Sequence, residues 1–349
     1  MIPPRPALLE MQPYRRPDAA RAHGLRLDLN ENLWGCSPRV RSVLADFSTE
    51  RISMYPDPRP LAEMIARRLD VPVEWVRIAN GGDDAIDVVF RTFVSAGDRV
   101  AFCVPTYTIY PLLARAVGAR TVTVPYGEAF AFPVDAGWSQ VPPPRLLVLA
   151  HPNNPTGTLV PRTWLQETLE RWPHTIVLMD EAYADFLGET WTPWIHRYPN
   201  LVVVRTFSKL YGLAGLRVGY LIARPELQRE MQKIHHPYAV NAVAIAAACA
   251  ALMDTAFVER VLHDLEEVRQ RVVRAVREMG LEIVAPATNF VLIRVGPHAR
   301  TVIERLRAHA IWVRDVTPYP GLTEYIRVTL APWNRMERFI RTFAQVMKT

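Results

Sequence analysis

An α/β fold is expected: a mostly parallel sheet covered by helices, followed by a smaller α+β unit. Three features of the 349-residue chain predict it. Between residues 78 and 207, short and almost continuously apolar runs alternate with stretches of helical period, the pattern of strands buried on both faces and joined by helices. Several of these runs end in small, hydroxyl or glycine residues, as strands that open into loops do. After about residue 235 the alternation stops. A long helical stretch at 239–279 is followed by strands near 289–295 and 325–330, with helices at 300–309 and 334–347.

Residues 1–27 read as an extended arm, because Pro3, Pro4, Pro6, Pro13 and Pro17 forbid a long helix. Residues 28–235 then form the large unit and 236–349 the small one. Leu27-Asp28-Leu29-Asn30-Glu31-Asn32-Leu33-Trp34-Gly35 is a polar loop beside a short strand; it either lines a pocket or is a turn built from good turn formers. Tyr55-Pro56-Asp57-Pro58 is a turn before an amphipathic helix at 60–69. The strand Ile78-Ala79 passes through Gly81-Gly82 into a helix reaching Phe93. Glycines there let backbone N–H groups approach a phosphate, although strand–Gly–Gly–helix turns are common. Asp83, Asp84 and Asp87 suit the positive end of that helix better than a metal or an acid–base pair.

The strand 99–105 ends at Thr106-Tyr107 before a helix that runs to Val117, and the next strand covers 121–124. Residues 134–145, with Pro142-Pro143-Pro144, make a loop and not a domain linker, since the alternation resumes at once. Leu146-Leu147-Val148-Leu149-Ala150 leads into His151-Pro152-Asn153-Asn154-Pro155-Thr156-Gly157. A helix at 161–171 precedes the strand 175–179, which ends in Asp180-Glu181-Ala182-Tyr183. Leu201-Val202-Val203-Val204 leads to Ser208-Lys209, with Arg217 beyond.

Half of the residues are hydrophobic and 22% are charged, as in an ordinary globular protein. The formal charge is +6, but the arginines are scattered through mixed-sign helices, with no basic run interleaved with aromatics, so nucleic acid is not the expected partner. An anionic small molecule is compatible with the excess. Cys36, Cys103 and Cys249 form no paired motif, which fits a reducing cytoplasm and offers neither a disulfide frame nor a zinc site. His235-His236 are adjacent, not at ligand spacing, so no metal is expected. The N-terminus lacks the apolar core of a signal peptide, and the longest apolar helix, 240–253, is too short to span a bilayer.

In sheets of this class ligands sit at the carboxyl ends of the strands. Those ends carry Gly81-Gly82, Tyr107, Asn154, Asp180, Tyr183 and Lys209. A lysine just past a buried strand is placed to act as a nucleophile and form a Schiff base. Together with a buried carboxylate, a phenol, an amide, an aromatic plate and a phosphate nest, it matches what pyridoxal phosphate requires.

Asn153-Asn154-Pro155-Thr156-Gly157, Asp180-Glu181-Ala182-Tyr183 and Ser208-Lys209 with Arg217 resemble, in order and spacing over about 140 residues, the signature of the class I/II aminotransferases of the aspartate-aminotransferase fold. Within that group the chain is similar to the histidinol-phosphate aminotransferase family. The matching pieces are Asn30-Glu31-Asn32, Tyr55-Pro56-Asp57-Pro58, Pro105-Thr106-Tyr107, Leu213-Ala214-Gly215-Leu216-Arg217, Thr288-Asn289-Phe290, Val313-Arg314 and Ile326-Arg327-Val328. The resemblance implies that Lys209 carries pyridoxal 5'-phosphate and shuttles the proton. It implies that Asp180 pairs with the pyridinium, that Asn154 and Tyr183 bond the ring oxygen, and that Tyr107 stacks on the ring. Backbone groups of Gly82 and Asp83, with Thr206, Ser208 and Arg217, would cradle the phosphate. Tyr55 would reach the cofactor of a neighbouring subunit, which makes the protein a homodimer. Asn32, Arg314 and Arg327 would bind substrate, Arg327 holding in turn the glutamate carboxylate and the histidinol-phosphate phosphate, in a ping-pong reaction.

The chain departs from the family at Leu33-Trp34, where Pro and Tyr are usual, and after Arg327, where Ala331-Pro332-Trp333-Asn334 replaces a Gly and a short polar turn. Trp34 and Trp333 either reshape the pocket or pack at its edge. The alternatives are an aminotransferase for aromatic or other specialised amino acids and a decarboxylase of a phosphorylated amino acid. An ATPase reading of Val177-Leu178-Met179-Asp180-Glu181 fails, because the chain contains no Gly-Lys pair. A non-catalytic regulator would need an added DNA-binding module, for which 27 arm residues are too few. Lys209→Ala is expected to abolish both turnover and the absorbance of the covalently held cofactor while circular dichroism stays unchanged; wild-type turnover in that variant would overturn the reading.

Overall fold

The computed structural model describes residues 5–9, 11, 19–134, 137, 138 and 140–348. Its strands, in chain order, are β1 (Leu25–Leu27), β2 (Val76–Ala79), β3 (Arg99–Val104), β4 (Arg120–Pro125), β5 (Leu146–Ala150), β6 (Ile176–Asp180), β7 (Leu201–Thr206), β8 (Gly219–Ile222), β9 (Ile283–Val284), β10 (Phe290–Arg294), β11 (Ile311–Asp315) and β12 (Tyr325–Thr329). Seven of them make one sheet in the order β2-β8-β7-β6-β5-β3-β4. Only β8 runs against its neighbours; the other pairings in this sheet are parallel.

The apolar runs alternate between two cores, as the two-residue period of a strand requires. Ile176, Leu178, Val202 and Val204 face the helices Gly82–Phe93 and Ile109–Ala116. Val177, Met179, Leu201 and Val203 face the core on the opposite side of the sheet, the first core, built with Trp164, Leu165 and the helix Ala242–Leu252. This parity positions the site. Asp180 continues the row of Ile176 and Leu178, and Thr206 continues that of Val202 and Val204, so both point to the face where Gly82–Phe93 begins.

The second sheet has the order β1-β11-β12-β10-β9. β1 is parallel to β11, and the remaining pairs are antiparallel. Its core contains Val291, Ile293, Ile326, Val328, Phe339 and Phe343. The short strand expected beside the polar loop is β1. Three strands lie outside the expectation: β9, whose two residues are too few for a pattern to emerge, and β8 and β11, with four and five.

Two boundaries differ from expectation. Of the arm expected over 1–27, residues 1–4, 10 and 12–18 lie outside the described residues. Its last three residues are β1, which Leu25 and Leu27 anchor in the second core. The helical stretch 239–279 is two helices, Ala242–Leu252 and Thr255–Glu278, meeting at 75°. The break is capped by Asp254, whose carboxylate accepts the Phe257 N–H and the Ser37 hydroxyl. Ala242–Leu252 packs into the first core, where its row of alanines allows close approach. Thr255–Glu278 then crosses between cores, with Phe257, Val258 and Val261 in the first and Leu265, Val268, Val272 and Val276 in the second. No single helix among the described residues is long and apolar enough to cross a membrane.

Gly219 opens β8 between β7 and β2, and a Cβ there would lie 2.8 Å from both the Arg205 carbonyl oxygen and the Gly81 carbonyl carbon. Gly219→Ala is expected to cost about 2 kcal/mol, because sheet backbone cannot yield as a side chain does. Gly215→Ala, with open space around the added carbon, is the matched control. Equal urea midpoints for the two variants would remove the packing argument.

Candidate functional site

The site lies where the carboxyl ends of β5, β6 and β7 meet the start of the helix Gly82–Phe93. Asp180 is the last residue of β6 and is buried. Its Oδ2 accepts the Tyr110 hydroxyl at 2.5 Å and its Oδ1 accepts the Ala182 N–H at 2.9 Å. Burial, with Asp83 adding to it, pushes the carboxyl up to about 6, against the opposing effect of these hydrogen bonds and of Lys209. Tyr110 is itself fully buried and meets the Tyr107 ring edge-on at 5.8 Å. It stands three residues after Tyr107, a spacing that puts both rings on one side of a helical turn. Sequence reasoning gave it no role, although that spacing was the available signal.

Past β7, the Thr206 hydroxyl donates to Ser208 Oγ at 3.0 Å and accepts the Ser208 N–H at 3.1 Å. Arg217 donates to Ser208 Oγ at 3.3 Å and to Asp83 Oδ2 at 3.1 Å, and Tyr107 donates to the other oxygen of Asp83 at 3.0 Å. Gly81 caps the helix at φ 87°. A Cβ on Gly81 would stand 2.6 Å from the Arg217 guanidinium, so only glycine lets the arginine close over the helix start. Free helix N–H groups, two hydroxyls and a guanidinium converge in this cradle. It fits the phosphate of pyridoxal phosphate, as the buried carboxylate fits its ring nitrogen.

Lys209 Nζ donates to the Leu29 carbonyl at 3.1 Å and lies 5.6 Å from the centre of the Tyr183 ring. The Tyr183 hydroxyl oxygen accepts the Asn30 amide at 2.8 Å. Arg327 on β12 is buried; it donates to Asn154 Oδ1 and to the Asp28 carbonyl, the latter at 2.7 Å. Its Nε has no hydrogen-bond partner. Burial lowers its pKa, and Arg314, which pairs with it in register across β11 and β12, lowers it further.

Asn32 and Tyr55 lie at the edge of this constellation. The Asn32 carboxamide, expected to meet substrate, is committed at both ends: Nδ2 donates to the Leu210 carbonyl at 2.6 Å and Oδ1 accepts the Trp34 N–H at 3.0 Å. It holds the loop just after Lys209. Tyr55 stands apart, 80% exposed and stacked on Tyr238 at 4.4 Å. Trp34 packs against both cores, while Trp333 sits beneath the Arg271 guanidinium, 3.5 Å from its ring centre. Among the described residues no cluster of His, Cys, Asp and Glu could hold a metal ion.

Because its carboxyl is raised in the folded state, Asp180 binds a proton more tightly there than in the unfolded chain. Its contribution to stability therefore falls as pH rises from about 4 to about 6, by up to roughly 3 kcal/mol. Urea midpoints of the cofactor-free protein should show this as a slope between pH 4.5 and 7 that Asp180→Asn reduces. An unchanged slope in that variant would show that the carboxyl does not titrate there.

The family model for aminotransferase class I and II matches residues 22–343. Histidinol-phosphate aminotransferase 1 of Cupriavidus pinatubonensis is 36% identical over 351 residues, covering 95% of this chain and 92% of the relative. Histidinol-phosphate aminotransferase 2 of Ralstonia nicotianae is 38% identical, covering 90% and 87%. The crystal structure of histidinol-phosphate aminotransferase from Sinorhizobium meliloti in complex with pyridoxal-5'-phosphate superposes with a TM-score of 0.90 at 28% identity, covering 99% of this chain and 97% of that one.

Proposed function

The chain belongs to the class I and II aminotransferases, and from that premise we propose that it moves an amino group between histidinol phosphate, or imidazole-acetol phosphate, and the glutamate/2-oxoglutarate pair. Its cofactor is pyridoxal 5'-phosphate. The observation that carries the substrate reading is Arg327. It is a buried guanidinium whose two hydrogen-bond acceptors are both neutral, with Arg314 beside it in register. A buried cation whose contacts are neutral is costly, the Asp28 carboxylate offsetting this only from a distance, and an anionic substrate group in contact lowers that cost. The names of the relatives, at 36% and 38% identity, support a phosphate as one such group.

When bound, the cofactor supplies an electron sink that acidifies the substrate carbon next to nitrogen. Lys209 anchors it and moves the proton at that carbon, its Nζ being held at the Leu29 carbonyl in the free protein. Asp180, steadied by Tyr110, keeps the ring nitrogen protonated. Tyr183 and Asn154 hold the ring oxygen, and Tyr107 covers the ring face. The cradle of Gly82, Asp83, Thr206, Ser208 and Arg217 holds the phosphate. Arg327 takes the glutamate carboxylate in one half-reaction and the substrate phosphate in the other, with Arg314 assisting, so the two halves alternate in a ping-pong cycle. Asn32 acts one step back, by fixing the loop after Lys209.

The chain works as two units, one around each sheet, joined through Thr255–Glu278. A homodimer is part of this reading, with Tyr55 completing the neighbouring site. The exposed side chains Ile52, Met54, Tyr55 and Tyr238 support it. The cytoplasm is the compartment that three free cysteines suit.

The test is a half-reaction panel. Histidinol phosphate, phenylalanine, tyrosine and threonine phosphate are each mixed with holoenzyme, the cofactor spectrum is followed, and carbon dioxide is measured in the same wells. Conversion with histidinol phosphate and no carbon dioxide is expected. Conversion by phenylalanine with silence from histidinol phosphate would transfer the assignment to an aromatic aminotransferase, and carbon dioxide from threonine phosphate to a decarboxylase. Arg327→Lys is expected to lower kcat/KM for histidinol phosphate about 100-fold, since an ammonium cannot reproduce the planar fork. A loss confined to kcat would place Arg327 outside binding.

A further inference from the structure

Three buried residues outside the assigned machinery share one chain of hydrogen bonds that leads to Tyr183. Asn30 is 1% and Thr329 0% exposed. The Asn30 backbone N–H donates to Thr329 Oγ1 at 3.0 Å. The Thr329 hydroxyl has one hydrogen of its own, and it donates that to Asn30 Oδ1 at 3.1 Å. The oxygen end of the Asn30 amide is thereby fixed, and its nitrogen end faces Tyr183, donating to the phenol oxygen at 2.8 Å. An amide nitrogen cannot accept a hydrogen bond. The Tyr183 hydrogen therefore cannot turn back onto Asn30 and is left to donate away from it.

The backbone geometry holds this arrangement in place. Asn30 sits at φ 55°, a left-handed conformation that asparagine tolerates better than most residues. Its carbonyl accepts the Asn289 amide at 3.0 Å, so the peptide units around it are pinned from β10 as well as from β12. Thr329 follows Arg327 by two positions on β12 and so lies on the same face of that strand.

We propose that Asn30 and Thr329 are positioning residues that set the direction of the Tyr183 hydroxyl, so that its hydrogen is donated into the active site and not back into the protein. β12 then carries both Arg327 and the group that orients Tyr183. The proposal rests on the reading in which Tyr183 bonds the cofactor's ring oxygen. The charged groups facing Tyr183 are Lys209 from the loop after β7 and Arg327 from β12; the Thr329 variants below leave them as the charges there, whereas Asn30→Asp adds a carboxylate.

A donated hydrogen bond stabilises the anionic form of its acceptor, so removing it makes the acceptor harder to ionise. The readout is the pH midpoint of the visible absorbance change of the holoenzyme, with circular dichroism to confirm folding. In Thr329→Val the Asn30 amide loses its anchor, and the midpoint is expected to rise by about one pH unit. Thr329→Ser restores the hydroxyl and is expected to return the midpoint to the wild-type value, which a merely structural role would not require. Asn30→Asp also tolerates a left-handed backbone but can only accept from Tyr183; the midpoint should rise again. Because its carboxylate alone would also raise the midpoint, the uncharged Thr329→Ala, whose smaller side chain has room there, decides the matter if Thr329→Val does not fold.

Tyr183→Phe separates the two layers of the argument. If it moves the midpoint while folded Thr329→Val and Asn30→Asp do not, the positioning proposal is wrong and the Tyr183 contact stands. If Tyr183→Phe also leaves the midpoint unchanged, the contact between Tyr183 and the ring oxygen is itself wrong, and the proposal falls with it.

Discussion

The site is assembled by a segment of five residues laid across it, 28–32. The Asp28 carbonyl accepts from Arg327, the Leu29 carbonyl from Lys209, and the Asn30 amide donates to Tyr183, while Asn32 holds the Leu210 carbonyl. One short stretch thus touches the lysine, the phenol and the buried arginine of β12, which belong to three different elements. Arg21 braces it from outside through ion pairs to Asp28 and Glu31. Beside this stretch, Trp34 and Phe186 each pack against both cores, so apolar contact and hydrogen bonds act together here. β1, directly before the stretch, is tied into the second sheet, so the stretch has a fixed origin.

The same region holds groups whose burial opposes stability. Asp180 is a carboxylate in an apolar core, relieved by two donors. Next to it, burial pushes Glu181 up to about 7, despite Arg205 and the donors Trp191 N–H and Thr190 hydroxyl. Arg327 is a buried guanidinium that, among the described residues, has no carboxylate in ion-pair contact, the buried Asp28 acting on it only from farther off. Charges in such places raise the free energy of the folded chain unless ligands complete them. The rest of the large sheet offsets that cost, with apolar strands covered on both faces.

Legibility in the sequence followed the length of the signal. β5, β6 and β7 were readable because four or five apolar residues in a row, bounded by turn formers, suit a strand buried on both faces. Their ends, and with them Asn154, Asp180, Tyr183 and Lys209, were placed at one edge by the parallel-sheet rule alone. β9 was not readable, being too short to carry a period, and β8 and β11 carry shorter apolar runs, 220–222 and 311–313. The break between Ala242–Leu252 and Thr255–Glu278 was missed although Asp254 is a good N-cap residue; its bond from the Phe257 N–H, with the Ser37 hydroxyl on the other oxygen, marks it in the structure. Tyr110 and Asn30 lay beside residues already singled out, but a hydrogen bond between residues 70 or 153 positions apart leaves no local trace.

Composition and pattern by themselves determined the α/β class, the alternation that brings strand ends together, and the residue types available there. Those follow from local physics: the two-residue period of a strand, the conformational freedom of glycine and the fixed φ of proline act within a few positions. Only the tertiary structure decided which side of each strand end faces the site, that the Asn32 amide is committed to the loop after Lys209, that Tyr55 faces outward, and that Asn30 and Thr329 stand behind Tyr183. These depend on hydrogen-bond directions between distant segments. Such directions exist only once backbone, burial and the single hydrogen of a hydroxyl have all been assigned a place.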